Sequence, residues 1–327
     1  MNNKLQNNAI LDSKKGVSRA SIIFRKQEVF LAIVMVVLGV IVTIVNPLFL
    51  SLQNFFNIVL AVSITGIATI GLALVLIAGE FDLTVGSVMS VQAVLFATFT
   101  TTIGPVYAII LTLVIGLALG AFTGLMVTRI KAHSFIVTLA LLSAYSGIAL
   151  VVSNGEWVSM KGTFTVFKDK IFQVIPNPTI VFVIVVVIFF VVLRYTRFGR
   201  LLYAIGGNIQ AAYLSGIKIK NYKILVFMIS SLLYSIAAIV LVSMIGTALP
   251  SSGRVYLLEA FAAAVVGGVL LGGGKGNMQG LFLGIVVFGL INNAQVIMNV
   301  DPFARDVVTA AIILIAISVS GYAASRE

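Results

Sequence analysis

Apolar runs of near-spanning length recur along the chain at about 28–46, 56–78, 87–103, 105–128, 134–153, 176–194, 222–246, 256–272, 278–297 and 305–322. A helix needs roughly 20 residues to cross the hydrocarbon core of a bilayer. The pattern therefore predicts an all-α integral membrane protein, a polytopic bundle of about ten transmembrane helices. Several runs are short or interrupted by glycine, so some helices are expected to be short or broken. Residues 1–27 read as a polar, basic tail, 28–322 as the membrane domain and 323–327 as a second short tail. The first run is long enough to remain a helix, and no signal-peptide pattern is seen ahead of it.

The polar interruptions are the informative part. Arg194–Lys223 carries six of the 21 Lys and Arg between two apolar runs. Its middle predicts a short helix from about Gly207 to Leu214, with Gly206, Gly207 and Gly216 letting the backbone enter and leave sharply. Asn208 suits the N-cap. Ala211 and Ala212 give a small surface, and Ile209, Tyr213 and Leu214 offer apolar side chains. A structured basic helix outside the membrane predicts contact with a soluble partner. The longest other loop, about 154–175, holds Trp157, Phe164, Phe167 and Phe172. These aromatics either rest at the membrane interface or receive a delivery protein.

Two glycine-rich breaks interrupt the apolar pattern. The first runs Gly79–Ser87 and includes Glu80, Asp82, Gly86 and Ser87. The second runs Gly267–Asn277 and includes Gly273, Gly274, Lys275 and Gly276. Irregular backbone at membrane depth is tolerated only where it lines a cavity or packs within protein, so such breaks point to a transport pathway. Asp82 has two readings. It caps a helix beginning near Thr84 at the interface, or with Glu80 it takes part in gating or partner contact.

Composition closes off other classes. The chain is 60% hydrophobic and 9% charged, against roughly 25% charged in soluble domains, and its mean hydropathy is +1.16. The net charge of +11 lies in tails and short loops, where it reads as a topology signal and headgroup contact with no nucleic-acid partner. With the N-terminus in the cytoplasm and ten crossings, 16 Lys and Arg fall inside and 5 outside (Lys161, Lys168, Lys170, Arg254 and Arg305). Both termini are expected to be cytoplasmic. Cysteine is absent and His133 is the single histidine. No catalytic, cofactor-binding or metal residues are expected, and a membrane-embedded enzyme lacks its groups. The stretch GGGKGN at 272–277 is not a phosphate loop, because Lys275 is followed by Gly276 where Ser or Thr is needed. It reads as a tight inter-helix turn. Gln92, Ser143, Tyr145, Ser230, Ser231, Tyr234, Ser235, Asn292, Asn293 and Gln295 are polar within the runs. They suit either pore lining or hydrogen bonding between helices; Gln92, Tyr234, Asn292 and Asn293 are the pore-lining candidates. An ion-coupled secondary transporter is the alternative class, with Glu80, Asp82 and Glu259 as its only candidate carriers.

GEFDLTVGSVMS at 79–90 resembles the GGIDLSVGS motif of ribose-type sugar permeases of ATP-binding-cassette (ABC) importers. TRFGRLLYAIGGNIQAAYLSGI at 196–217 resembles that family's coupling segment. AFAAAVVGGVLLGGGKGNMQG at 260–280 and LINNAQVIMNV at 290–300 resemble its glycine-rich region and ninth helix. The resemblance runs from about residue 28 onward; Glu80 stands where the family more often has glycine. It implies a subunit of the bacterial cytoplasmic membrane that forms the path for a monosaccharide. Its implied partners are a second permease subunit (the same chain or a sister), a separate ATPase carrying ATP-Mg, and an extracytoplasmic sugar-binding protein. It also implies that the Gly207–Leu214 helix couples ATPase closure to the pathway.

Overall fold

A computed structural model describes residues 27–130, 132–164, 166–168, 170–171 and 175–324. The expected N-terminal tail, Phe172 and the last three residues lie outside the described residues.

Among the described residues there are twelve α-helices: α1 Gln27–Val45, α2 Leu52–Ile77, α3 Val85–Thr102, α4 Pro105–Arg129, α5 Ser134–Ser153, α6 Asn177–Tyr195, α7 Arg197–Gly207, α8 Ile209–Leu214, α9 Ile219–Ile245, α10 Arg254–Val266, α11 Met278–Ile297 and α12 Pro302–Ala324. Two short antiparallel ribbons accompany them. β1 (Val158–Ser159) pairs with β4 (Thr247–Ala248), and β2 (Lys170–Ile171) pairs with β3 (Ile175–Pro176). Among the described residues, eight of these helices, α1 to α6, α9 and α11, are long and apolar enough to cross a membrane. The run at 256–272 differs from expectation. It forms α10, only 13 residues long, because Gly267 and Gly268 end the helix and the chain stays irregular to Asn277. The run at 305–322 lies within α12.

The core is built on α2 and α9, which pack antiparallel: Gly71 lies against Ser230 and Tyr234, while Glu80 just beyond α2 pairs with Lys223 near the start of α9. Every residue of α2 from Val62 to Ile77 is buried. Helix α4 lies close along α9 because Gly116, Gly120 and Gly124 present no side chain there. A Cβ at these positions would reach Ser235 Oγ at 2.0 Å, Phe227 O at 2.5 Å and Ile224 Cα at 2.7 Å. Small residues every four positions allow such backbone approach in a membrane, where dispersion and hydrogen bonding drive helix association.

The pairings repeat between two halves. Helix α9 packs on α3 and α4, and α2 packs on α10 and α11; α3 touches α4 and α5, and α10 touches α11 and α12. In each half the long central helix is followed by a non-helical segment, 78–84 or 246–253, that leads into a new helix, α3 or α10. These two helix starts meet. A Cβ on Gly86 would lie 2.7 Å from Gly253 O, a Cβ on Gly253 would lie 2.1 Å from Gly86 O, and Gly253 N donates to Ser90 Oγ at 3.0 Å. Because α2 and α9 run in opposite directions, the halves form an inverted pair. In transporters, corresponding interrupted helices of this kind frame the pathway.

Candidate functional site

The three sequence features singled out above converge at one end of the bundle. Gly206 in α7, Gly79 after α2 and Gly273–Gly274 after α10 touch backbone to backbone. A Cβ on Gly206 would lie 1.8 Å from Ile77 O and 2.6 Å from Gly274 N, and one on Gly273 would lie 2.6 Å from Gly79 Cα. Gly274 N donates to Ile77 O at 2.9 Å, and Tyr203 Oη donates to Gly276 O at 2.8 Å. Burial raises the Tyr203 phenol above its ordinary value, which keeps it a donor. Gly79 and Gly273 also have φ of 79° and 82°, a region that L side chains rarely adopt.

The junction corrects two expectations about glycine. Gly206 and Gly207 do not break the chain; they are the last two residues of α7. Gly206 is there for close approach. The chain turns at Asn208, which caps α8 by accepting from Ala211 N at 2.9 Å. The expected helix from about Gly207 is therefore two helices, the second only Ile209–Leu214. Gly216, with φ 78°, carries the chain out of it. Ala212 is buried, whereas Ala211 is exposed. Tyr213 is 71% and Leu214 84% exposed. With Ile209, Gln210 and Ile219 they line a shallow groove.

The segment 78–84 leads inward from this junction. Its backbone is satisfied piece by piece: Glu80 N donates to Val75 O, Phe81 N to Ser134 Oγ at 2.9 Å, and Thr138 Oγ1 donates to Phe81 O at 3.4 Å. This accounting is what irregular backbone inside a helix bundle requires. Glu80 pairs with Lys223 of α9. Asp82 is 1% exposed, buried within the chain, and it is not the cap of α3. Helix α3 starts at Val85 after Thr84. Asp82 Oδ1 instead accepts from Thr84 N at 2.8 Å and Thr84 Oγ1, and Oδ2 accepts from Tyr234 Oη at 3.1 Å. Ser87 Oγ donates to Thr84 O at 3.1 Å in the first turn.

The pore-lining candidates divide. Gln92 and Tyr234 are fully buried within the chain. Gln92 Nε2 donates to Ser235 Oγ at 2.6 Å and Thr112 O at 2.9 Å, joining α3, α4 and α9. Asn293 and Asn54 exchange two amide hydrogen bonds at 2.8 and 2.9 Å, a clasp between α11 and α2. Asn292, one residue away and turned to another side, donates to Glu259 Oε1 at 2.8 Å. Tyr145 pairs with Thr123 at 2.9 Å, and Ser230 Oγ donates to Gly71 O at 2.7 Å. In the 154–175 loop, Trp157 is exposed. Phe164 stacks edge-on with Phe96 at 5.9 Å and Phe167 with Phe164 at 6.0 Å, so these two rings join the core.

Sequence reasoning missed Lys223 and Tyr203 as partners of the breaks. Lys223 was visible only as one more basic charge in the island. Among the described residues, no group of His, Cys, Asp and Glu is arranged to hold a metal ion.

A model of the family described as branched-chain amino acid transport system / permease component matches residues 54–317. The chain belongs to that permease family. It is 38% identical to the ribose import permease protein RbsC of Bacillus subtilis (strain 168), over 86% of this chain and 88% of that one. It is 33% identical to the ribose import permease protein RbsC of Escherichia coli (strain K12), covering 88% and 91%. The xylose transport system permease protein XylH of Escherichia coli (strain K12) is 31% identical, covering 82% and 85%. No solved structure matches the chain. The protein is thus a multi-pass permease subunit of an ABC importer. Such a subunit works with an ATPase and a substrate-binding protein, and hydrolysis is not its own chemistry.

Proposed function

We propose that this permease forms the path for a neutral pentose, ribose or a close relative, across a bacterial cytoplasmic membrane. The substrate class rests on likeness to ribose and xylose permeases. Both termini and the α7–α8 end face the cytoplasm, in keeping with the distribution of Lys and Arg. A second permease subunit completes the pore, and lipids surround the outer helices. ATP-Mg binds on the partner ATPase.

Helix α8 is the contact with that ATPase. One observation carries this reading: Tyr213 and Leu214 stand almost free on a six-residue helix joined through Asn208 to the glycine junction. A solvent-facing apolar knob on a basic segment suits a hydrophobic cleft with an acidic rim, with Arg197 and Arg200 nearby for the rim or for headgroups. Closure of the ATPase dimer then pushes α8, and α7 passes the push to Gly79 and Gly273. Gly79 lies in the 78–84 break of one half and Gly273 in the turn after α10 of the other, so both halves move and the pathway changes access.

Leu214→Glu tests this. The side chain is exposed, so the variant is expected to reach the membrane normally. It should lose the co-purifying ATPase and the uptake of labelled ribose and xylose. Wild-type uptake by this variant would sink the assignment of α8. Ala212 is unsuited to the test, because its burial mixes docking with folding.

A further inference from the structure

Helix α2 carries Gln53, Asn57, Ala61 and Thr65 at four-residue spacing, which stacks them along one line of the helix. The first three are exposed. Gln53 Nε2 donates to Asn57 Oδ1 at 3.3 Å, so the amides run along the helix. Thr65 ends the line. It is 13 residues from Leu52, about 20 Å along the helix at 1.5 Å per residue, and beyond it α2 is buried throughout. There Thr65 Oγ1 donates to Glu259 Oε2 at 2.9 Å, and Asn292 Nδ2 donates to Oε1 at 2.8 Å.

Glu259 is the unusual member. It lies on the short α10 halfway along α2, it remains partly exposed, and both of those donors are uncharged. Each carboxylate oxygen retains lone-pair capacity beyond one bond. An ionisable side chain at such depth faces protein interior or a water-filled cavity, not lipid. The exposed amides above it obey the same logic.

We infer that this line of α2 is the outward-facing wall of the translocation path, and that Glu259 at its floor accepts hydrogen bonds from the hydroxyls of a neutral sugar. Thr65 and Asn292 are positioning residues that fix the carboxylate, while Gln53 and Asn57 hand hydroxyls down from the entrance. A carboxylate flanked by amides suits a polyol, whose adjacent hydroxyls donate as a pair. The inference rests on the sugar-permease reading for its ligand, and on the proposed orientation for its side.

Two measurements test it separately from the coupling assignment. The chain contains no cysteine, so single cysteines report without background. In intact cells expressing the whole importer, Ala61→Cys is expected to react with a membrane-impermeant cationic thiosulfonate at least tenfold faster than Val187→Cys. Val187 is exposed on α6, midway along an apolar helix. Glu259→Gln, which keeps shape and removes charge, is expected to lower ribose uptake at least tenfold while the ATPase still co-purifies. An unreactive Ala61→Cys overturns the inference, since that face is then covered by lipid or by another subunit. Uptake by Glu259→Gln within twofold of wild type also overturns it. Failure of Leu214→Glu to uncouple would remove the coupling assignment and leave the cysteine result standing.

Discussion

Gly206 and Gly207 are neighbours in the same helix, yet alanine should have opposite effects on them. At Gly206 the new Cβ would sit 1.8 Å from Ile77 O and 2.6 Å from Gly274 N, both backbone atoms. No rotamer relieves such a clash. To reach an ordinary contact of 3.4 Å, α7 must retreat by about 1.6 Å from Ile77 or the bond from Gly274 N to Ile77 O must open. Overpacking costs about 1–3 kcal/mol, and leaving a buried donor and acceptor unpaired costs about 1–3 kcal/mol more. The better helix propensity of alanine returns at most about 1 kcal/mol. At Gly207 nothing lies within 4 Å of the new Cβ, so Gly207→Ala keeps that propensity gain and loses nothing. For a chain this long, about 2 °C in melting temperature per kcal/mol is a fair scale. Gly206→Ala should therefore melt about 2–10 °C lower in detergent than wild type, with all proteins measured at one scan rate so that irreversible unfolding does not distort the comparison. Gly207→Ala should match or slightly exceed wild type. Equal melting temperatures for the two variants would refute close approach as the reason for glycine at 206.

Two further outcomes follow from the polar contacts. Lys223→Met strands a mostly buried Glu80 carboxylate, and should destabilise by about 1–3 kcal/mol after allowing for its residual exposure. Adding Glu80→Gln should recover part of that loss in the same melting assay, and a double variant worse than Lys223→Met would exclude the pairing. Asn293→Ala leaves Asn54 short of both a donor and an acceptor, so it should cost about 1–3 kcal/mol. Asn54→Leu combined with Asn293→Leu should cost less than the two single changes summed, as a melting cycle on the four proteins would read.

Much of the bundle was legible, because a spanning run has to be about twenty residues long and nearly free of charge. The glycine breaks were legible too, since few other residues adopt the backbone at Gly79 and Gly273. What glycine does locally was not. At 206 and 207 it reads as a turn, and only the carbonyl of Ile77 shows that the helix continues and needs the missing side chain. Asp82 was misread for a related reason. A carboxylate two residues before Thr84 folds back on the local backbone in much the way a cap does, and only the start of α3 at Val85 separates the two. Asn292 and Asn293 look alike in sequence, but adjacent helical positions point about 100° apart, so one meets a carboxylate and the other an amide. Lys223 needed its partner from 143 positions away in sequence.

The glycine junction has a mechanical consequence. Contacts between side chains contain play, since rotamers absorb small displacements before neighbours feel them. At Gly79, Gly206 and Gly273 the touching parts are main chain alone, and main chain has no rotamers. If α7 receives the proposed stroke, the stroke would therefore arrive without backlash. In the proposed coupling it also reaches both halves from a single point, the 78–84 segment through Gly79 and the turn after α10 through Gly273, so the two halves would start together and not in relay.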